Sequence, residues 1–355
     1  MSTRPSATRA PDGFPGVRLH VVTGKGGTGK TTVAAALAVA LAAQGRRVLL
    51  AEVEDRQGIS QTFDVPPLPT TETLVAGAPN GGEVVGLSVD AKTALLEYLQ
   101  LFYRLGRAGG VLERFGAIDF ATTIAPGVRD LLLVGRVYEA SRRRKDDRHH
   151  RDSRPEELAY DSIVLDAPPT GRISRFLSVG NEVAGLARMG PIHGQAGSIT
   201  EVLRSGATRV HVVTLLEEMP VQETADAVAE LRELGMPVGA VVINQARAGL
   251  LADAGPVDAD RSPAAVADRV DPDALATVLA DDLALVGLPH TPALVAGLVA
   301  QVRAHAQRVA LEDEQLAVLH DLELPIVTVP FLVDGIDLDA VTEIAGLLRD
   351  QGMVP

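Results

Sequence analysis

Along this chain, short apolar runs rich in β-branched residues alternate with longer stretches whose apolar positions recur at helical spacing. VRLHVVT (residues 17–23), RRVLLAEVE (46–54), GEVVGLSVD (82–90), YDSIVLD (160–166), TRVHVVTLL (208–216), PVGAVVINQ (237–245) and PIVTVP (325–330) read as strands. TTVAAALAVALAAQG (31–45), PVQETADAVAELRELG (220–235), residues 291–322 and LDAVTEIAGLLRDQG (338–352) read as helices, several closed by glycine. Strand followed by helix, repeated, predicts an α/β fold built on a doubly wound, mostly parallel sheet. Helical patterning interrupts that rhythm at residues 91–144, with a break around 116–127, and again at 172–206; both tracts are expected to form an inserted helical subdomain. RRRKDDRHHRDSRPEE (142–157) is a mixed-charge run expected to be a mobile loop, and residues 246–273, rich in Ala, Asp, Pro and Gly, a surface excursion. Residues 1–16 are expected to be a disordered lead-in, leaving 17–355 as the folded domain.

The first strand and first helix enclose GKGGTGKTT (24–32), which satisfies G-x-x-x-x-G-K-[ST] through Gly24, Gly29, Lys30 and Thr31. Glycines let successive backbone N–H groups turn inward around phosphate oxygens, and the following helix adds the positive end of its dipole. Gly24, Lys25, Gly26, Gly27, Thr28, Gly29, Lys30, Thr31 and Thr32 are therefore the candidate nucleotide-binding residues. Lys30 suits the β- and γ-phosphates, and the Thr31 hydroxyl suits Mg2+. Asp166 closes the apolar strand SIVL where a carboxylate for the magnesium shell is needed. ATP is expected rather than GTP, because no [NT]-K-x-D tetrapeptide follows any strand.

Composition narrows the chemistry. A net charge of −13 opposes non-specific binding to nucleic acid, so no nucleic-acid partner is expected and phosphate must be held by a local site. Zero cysteine excludes disulfides, thiolate zinc sites and thiolate-held iron–sulfur clusters; no zinc is expected. No run reaches the roughly 18 apolar residues that span a bilayer, so a cytoplasmic protein, at most peripheral at the membrane, is expected. Only four of the 33 basic residues are lysines, and two of those four, Lys25 and Lys30, lie in the loop.

Lys25 makes the loop resemble the deviant signature KGGxGK[ST] of the class that includes the arsenite-pump, septum-site and partition ATPases and the nitrogenase iron protein. DAPPTGRISRFL (166–177) is similar to the switch II signature D-T-A-P-T-G-H-T-L-R-F-L of the ArsA and guided-entry (tail-anchored protein targeting) ATPases. VLLAEVEDRQGIS (48–60) is similar to that family's strand and switch I, V-L-L-x-S-T-D-P-A-H-x-L-S. The details look most like its bacterial, actinobacterial-type branch. The resemblance implies an ATP-hydrolysing switch, acting as a homodimer or as a heterodimer with a related ATPase subunit, in which Lys25 reaches the partner's nucleotide. It places Glu54, or its neighbour Asp55, at the water-polarising carboxylate, and Asn244 at the adenine. Pro330 and Phe331 fall in the loop over the base, and TLLEEMPVQET, with Glu218, Pro220 and Glu223, in the passage from strand to helix. Arg172 stands where the family has histidine, and the zinc-clamping C-x-x-C is missing. The implied output is handling of an unidentified protein client or membrane-associated partner. Alternatives are a positioning ATPase of the partition or septum-site type, or a P-loop metabolic ligase or kinase. The first would want a basic amphipathic C-terminal helix, and this one carries Asp337, Asp339, Glu343 and Asp350 against Arg349. Tyr98, Phe102, Tyr103, Phe115 and Phe120, five of the eleven Phe and Tyr residues, lie in the first helical tract, as a client groove or as the core of the subdomain.

Overall fold

The computed structural model describes residues 12–53, 57–95, 126–144, 157–178, 191–247, 271–333 and 335–355. Its eight strands are β1 (Leu19–Gly24), β2 (Arg47–Val53), β3 (Thr73–Gly77), β4 (Glu83–Val89), β5 (Ser162–Asp166), β6 (Thr208–Thr214), β7 (Val238–Ala246) and β8 (Ile326–Pro330). They form one sheet in the order β3-β4-β2-β5-β1-β6-β7-β8. Every neighbouring pair is parallel except the edge pair β3–β4. The α/β expectation of a doubly wound, mostly parallel sheet is met. β1 is central, and the chain leaves it leftward to β2 and later rightward to β6, which makes its C-terminal end the place where strand order reverses.

The helices are α1 (Lys30–Ala42), α2 (Gly58–Thr62), α3 (Pro126–Arg142), α4 (Thr170–Leu177), α5 (Pro191–Arg204), α6 (Glu218–Glu233), α7 (Pro272–Leu285), α8 (Pro292–His320) and α9 (Leu338–Asp350). Alternation along each strand sends side chains to two separate cores. Val22, Val48, Leu50, Val164, Val213 and Val242 pack with α1, α2 and α9. Val21, Leu49, Leu165, Val212 and Val241 pack with α3, α4, α5 and α6. α1 is buried almost all round, and its alanines and Leu37 and Leu41 fill the space between the sheet and α9. Among the described residues no helix is long and apolar enough to cross a membrane.

Three elements were not anticipated: the short helix α2, the strand β3 and the helix α7. β3, TLVAG, is a short edge strand whose residues are half-buried or exposed. α7 starts at Asp271, whose side chain accepts from Asp273 N, with Pro272 next, and none of its residues is buried. The expectation of a disordered lead-in through residue 16 does not extend to Phe14. That ring is buried in the α1-side core, and Gly13 N donates to Gly352 O at 2.8 Å. Of the first helical tract, residues 91–95 and α3 are helical. The five aromatics of that tract, most of the charged loop, and residues 248–270 of the surface excursion lie outside the described residues. So do Glu54 and Asp55.

Candidate functional site

β1 ends at Gly24, where a Cβ would stand 2.1 Å from Val213 O on β6, so only glycine lets the strand turn into the loop so close to its neighbour. The loop closes on Gly29, with φ 87° and no side-chain cap, and α1 has no acid in its first turn. The first N–H groups of a helix have no partner within it. Left uncapped here, they suit an anion. A Cβ on Gly26 or Gly27 would meet nothing within 4 Å, so that side of the loop is open. Inside, one carbonyl organises the turn. Lys25 O accepts from Thr28 N at 3.3 Å, from Thr28 Oγ1 at 2.9 Å and from Lys30 Nζ at 3.0 Å. Lys30 is thereby buried, while Thr31 and Thr32 are half-buried on the first turn of α1.

Lys25 turns away from this cradle. Its Nζ lies 2.9 Å from Glu223 Oε1 on α6, and Thr170 Oγ1, at the start of α4, donates to Glu223 Oε2 at 3.1 Å. The Lys25 ammonium, and Thr170 after it, hold the Glu223 carboxyl below the usual carboxylate range. Two residues further along α4, Arg172 Nη2 is 3.6 Å from Asp130 Oδ1 on α3.

Asp166 is the last residue of β5 and is buried. Its Oδ2 accepts from Thr31 Oγ1 at 2.6 Å, which joins the loop to the predicted metal-shell carboxylate. A second carboxylate stands beside it. Glu52 on β2 is the register partner of Asp166 and, like it, lies on the face covered by α1. Glu52 Oε2 accepts from Ile59 N at 3.1 Å, while its Oε1 is buried with no hydrogen-bond partner. Burial pushes the Glu52 carboxyl up; the Ile59 N–H, and after it those of Gln57 and Gly58, oppose this, and the charge of Asp166 adds to it. The chain returns to the loop at Gly58, where a Cβ would stand 3.0 Å from Thr31 Cγ2.

Asn244, on β7, is buried, and its Nδ2 donates to Thr28 O at 2.9 Å. A Cβ on Gly29 would come within 2.1 Å of that same nitrogen. Pro330 ends β8, and Phe331 N donates to Ala246 O at 2.9 Å, with Phe331 53% exposed at the same C-terminal edge of the sheet. Loop, Asp166 and Asn244 are thus in direct contact, whereas Pro330 and Phe331 share only the edge. Sequence reasoning missed Glu52 as a site residue. Its signal was a glutamate within an otherwise apolar strand.

Among the described residues no group of three His, Cys, Asp or Glu side chains forms a metal cage. Mg2+ needs less than that in a nucleotide site, because phosphate oxygens and water supply most of its six ligands. A hydroxyl, one carboxylate and a buried carboxylate oxygen without a partner are a donor set that fits such a hard cation.

The sequence model for the anion-transporting ATPases matches residues 17–206, which include the loop, Glu52 and Asp166. ATPase BagA of Mycobacterium tuberculosis is 45% identical over 343 residues, 97% of this chain and 96% of that protein. An ATPase ASNA1 homolog of Entamoeba dispar is 23% identical over 263 residues, 63% of this chain and 75% of that protein.

Proposed function

This chain belongs to the anion-transporting ATPase family and is an ATPase; from that premise we propose that it is a dimeric switch, coupling Mg-ATP binding and hydrolysis to the handling of a protein or membrane-associated partner. The uncapped N–H groups of α1 and the loop take the phosphates, and Lys30 exchanges the Lys25 carbonyl for the β- and γ-phosphate oxygens. Thr31 and Asp166 would hold the cation, which when bound neutralises charge on those oxygens. Asn244 keeps Thr28 with its amide nitrogen and offers its oxygen to the adenine amine, with Pro330 and Phe331 flanking the base. Glu54 positions the attacking water, with Asp55 as the competing candidate.

The observation that carries the reading is the unequal setting of the two loop lysines. Lys30 is buried against the loop, whereas the side chain of Lys25 is 30% exposed and engaged with Glu223, away from its own cradle. A lysine so placed serves a nucleotide in the neighbouring subunit. When Lys25 leaves, Glu223 loses one of its two partners and α4 loosens. Arg172 then carries that change to Asp130 on α3, in the tract proposed as the helical output subdomain. ATP turnover per chain should therefore rise with protein concentration before levelling off. Lys25→Ala should abolish the rise while nucleotide binding persists. Turnover that depends on neither concentration nor Lys25 would overturn the dimeric switch.

A further inference from the structure

Across β5, β2 and β4 the register places Asp166, Glu52 and Ser88 side by side, and all three are buried on the face covered by α1. Such a row sits among valines and leucines, where a polar oxygen left without a hydrogen bond costs free energy. Two oxygens of the row, Glu52 Oε1 and Ser88 Oγ, have no partner, although Glu52 is only 1% exposed. The other Glu52 oxygen is fixed on Ile59 N, which holds the carboxylate in one orientation beside Asp166. Two adjacent carboxylates, one with an oxygen unused, call for positive charge or a water polarised by it. The Thr31–Asp166 hydrogen bond marks where that charge belongs.

We propose that Glu52 is a positioning residue for the divalent cation, with Oε1, supported by Ser88, accepting a hydrogen bond from a cation-bound water. This rests on the proposed cation role of Asp166. An outer-shell acceptor of this kind orients a bound water and raises metal affinity by about 10–100-fold.

The test is Mn2+ binding to the full chain saturated with ADP, read from the electron paramagnetic resonance signal of free Mn2+. Glu52→Gln, which keeps the shape and removes the charge, should weaken Mn2+ binding by about tenfold or more and leave ADP binding without metal unchanged. Mn2+ affinity within about twofold of the parent chain would overturn the proposal. So would a Glu52→Gln chain that no longer folds, which would assign the carboxylate to the turn before α2. Asp166→Asn, measured alongside, separates the two readings. Weakening in Asp166→Asn alone sinks the role of Glu52, and no weakening in Asp166→Asn sinks the cation reading of the whole site.

Discussion

Lys25 and Lys30 share one loop but not one environment, and the difference lies in single contacts. Lys30 bonds to backbone inside the loop, and Lys25 to a carboxylate on another helix. The Lys25–Glu223 pair is partly exposed, so it is worth about 0.2–1 kcal/mol. That is too little to hold the proposed switch permanently and enough to bias it. Glu223→Ala should free both Lys25 and Thr170, and lower the chain concentration for half-maximal ATP turnover by a factor of up to about five. A concentration profile overlapping that of the parent chain would count against the contact as a restraint. Glu223 was legible in the sequence only as part of a familiar passage from strand to helix. Its contact with Lys25 joins the loop after β1 to the helix after β6, parallel neighbours far apart in sequence, and could not be read from local pattern. Glu52 shows the same limit more sharply. A glutamate in a strand reads as a polar position facing water, and only its register with Asp166 shows that it is buried beside a second carboxylate.

Among the elements, the turn from loop to α1 is the most constrained. Gly29 holds a left-handed φ of 87° and leaves no room for a Cβ against Asn244. Gly29→Ala would strain the backbone by about 1–2 kcal/mol and displace the amide that fixes Thr28. Nucleotide affinity, measured by fluorescence titration, should fall by more than about tenfold, with a lower Tm. Near-parent affinity would show that the turn can shift at little cost. The strands and helices of the sheet were legible because their apolar runs are long and bounded by Gly or Pro, as in β1, α1 and β5. β3 escaped because five residues with little burial carry no alternation; the open edge of β4, not the TLVAG sequence, makes it a strand. α7 escaped although Leu275, Leu279 and Leu283 recur at helical spacing, because it follows the Ala-, Asp-, Pro- and Gly-rich excursion and its apolar stripe is only half-buried.

In the molecule as a whole, the centre of the sheet holds a pair of imidazoles that tie its stability to pH. His20 on β1 and His211 on β6 are fully buried and stacked, with Nδ1 of His20 3.1 Å from Nε2 of His211. Ala240 N donates to His211 Nδ1, so in the neutral pair the His211 proton is on Nε2, donated to His20. Burial pushes His20 down to about 3 and His211 well below its ordinary value. The unfolded chain takes up protons on both rings below about pH 6.5, while the folded chain does not. Stability from this source is complete above that pH and is lost as the pH falls toward the folded values. Each ring should cost about 1 kcal/mol between pH 6.5 and 5.5. Urea unfolding at the two pH values should show the loss, and His20→Leu with His211→Leu should flatten it even if that chain is less stable throughout; equal slopes would refute the assignment. The strand order has a further consequence, for the chain as it is made. β5 lies between β1 and β2, and Ile163 pairs with both Leu19 and Leu49. On the ribosome the loop and the strand bearing Glu52 emerge first, then wait through the whole first helical tract for the strand that joins them. Until β5 arrives Thr31 has no Asp166 to meet, and until β6 follows β1 lacks its other neighbour. The growing polypeptide thus carries a recognisable phosphate loop long before it can make the Thr31–Asp166 contact, which waits for β5 to complete the centre of the sheet.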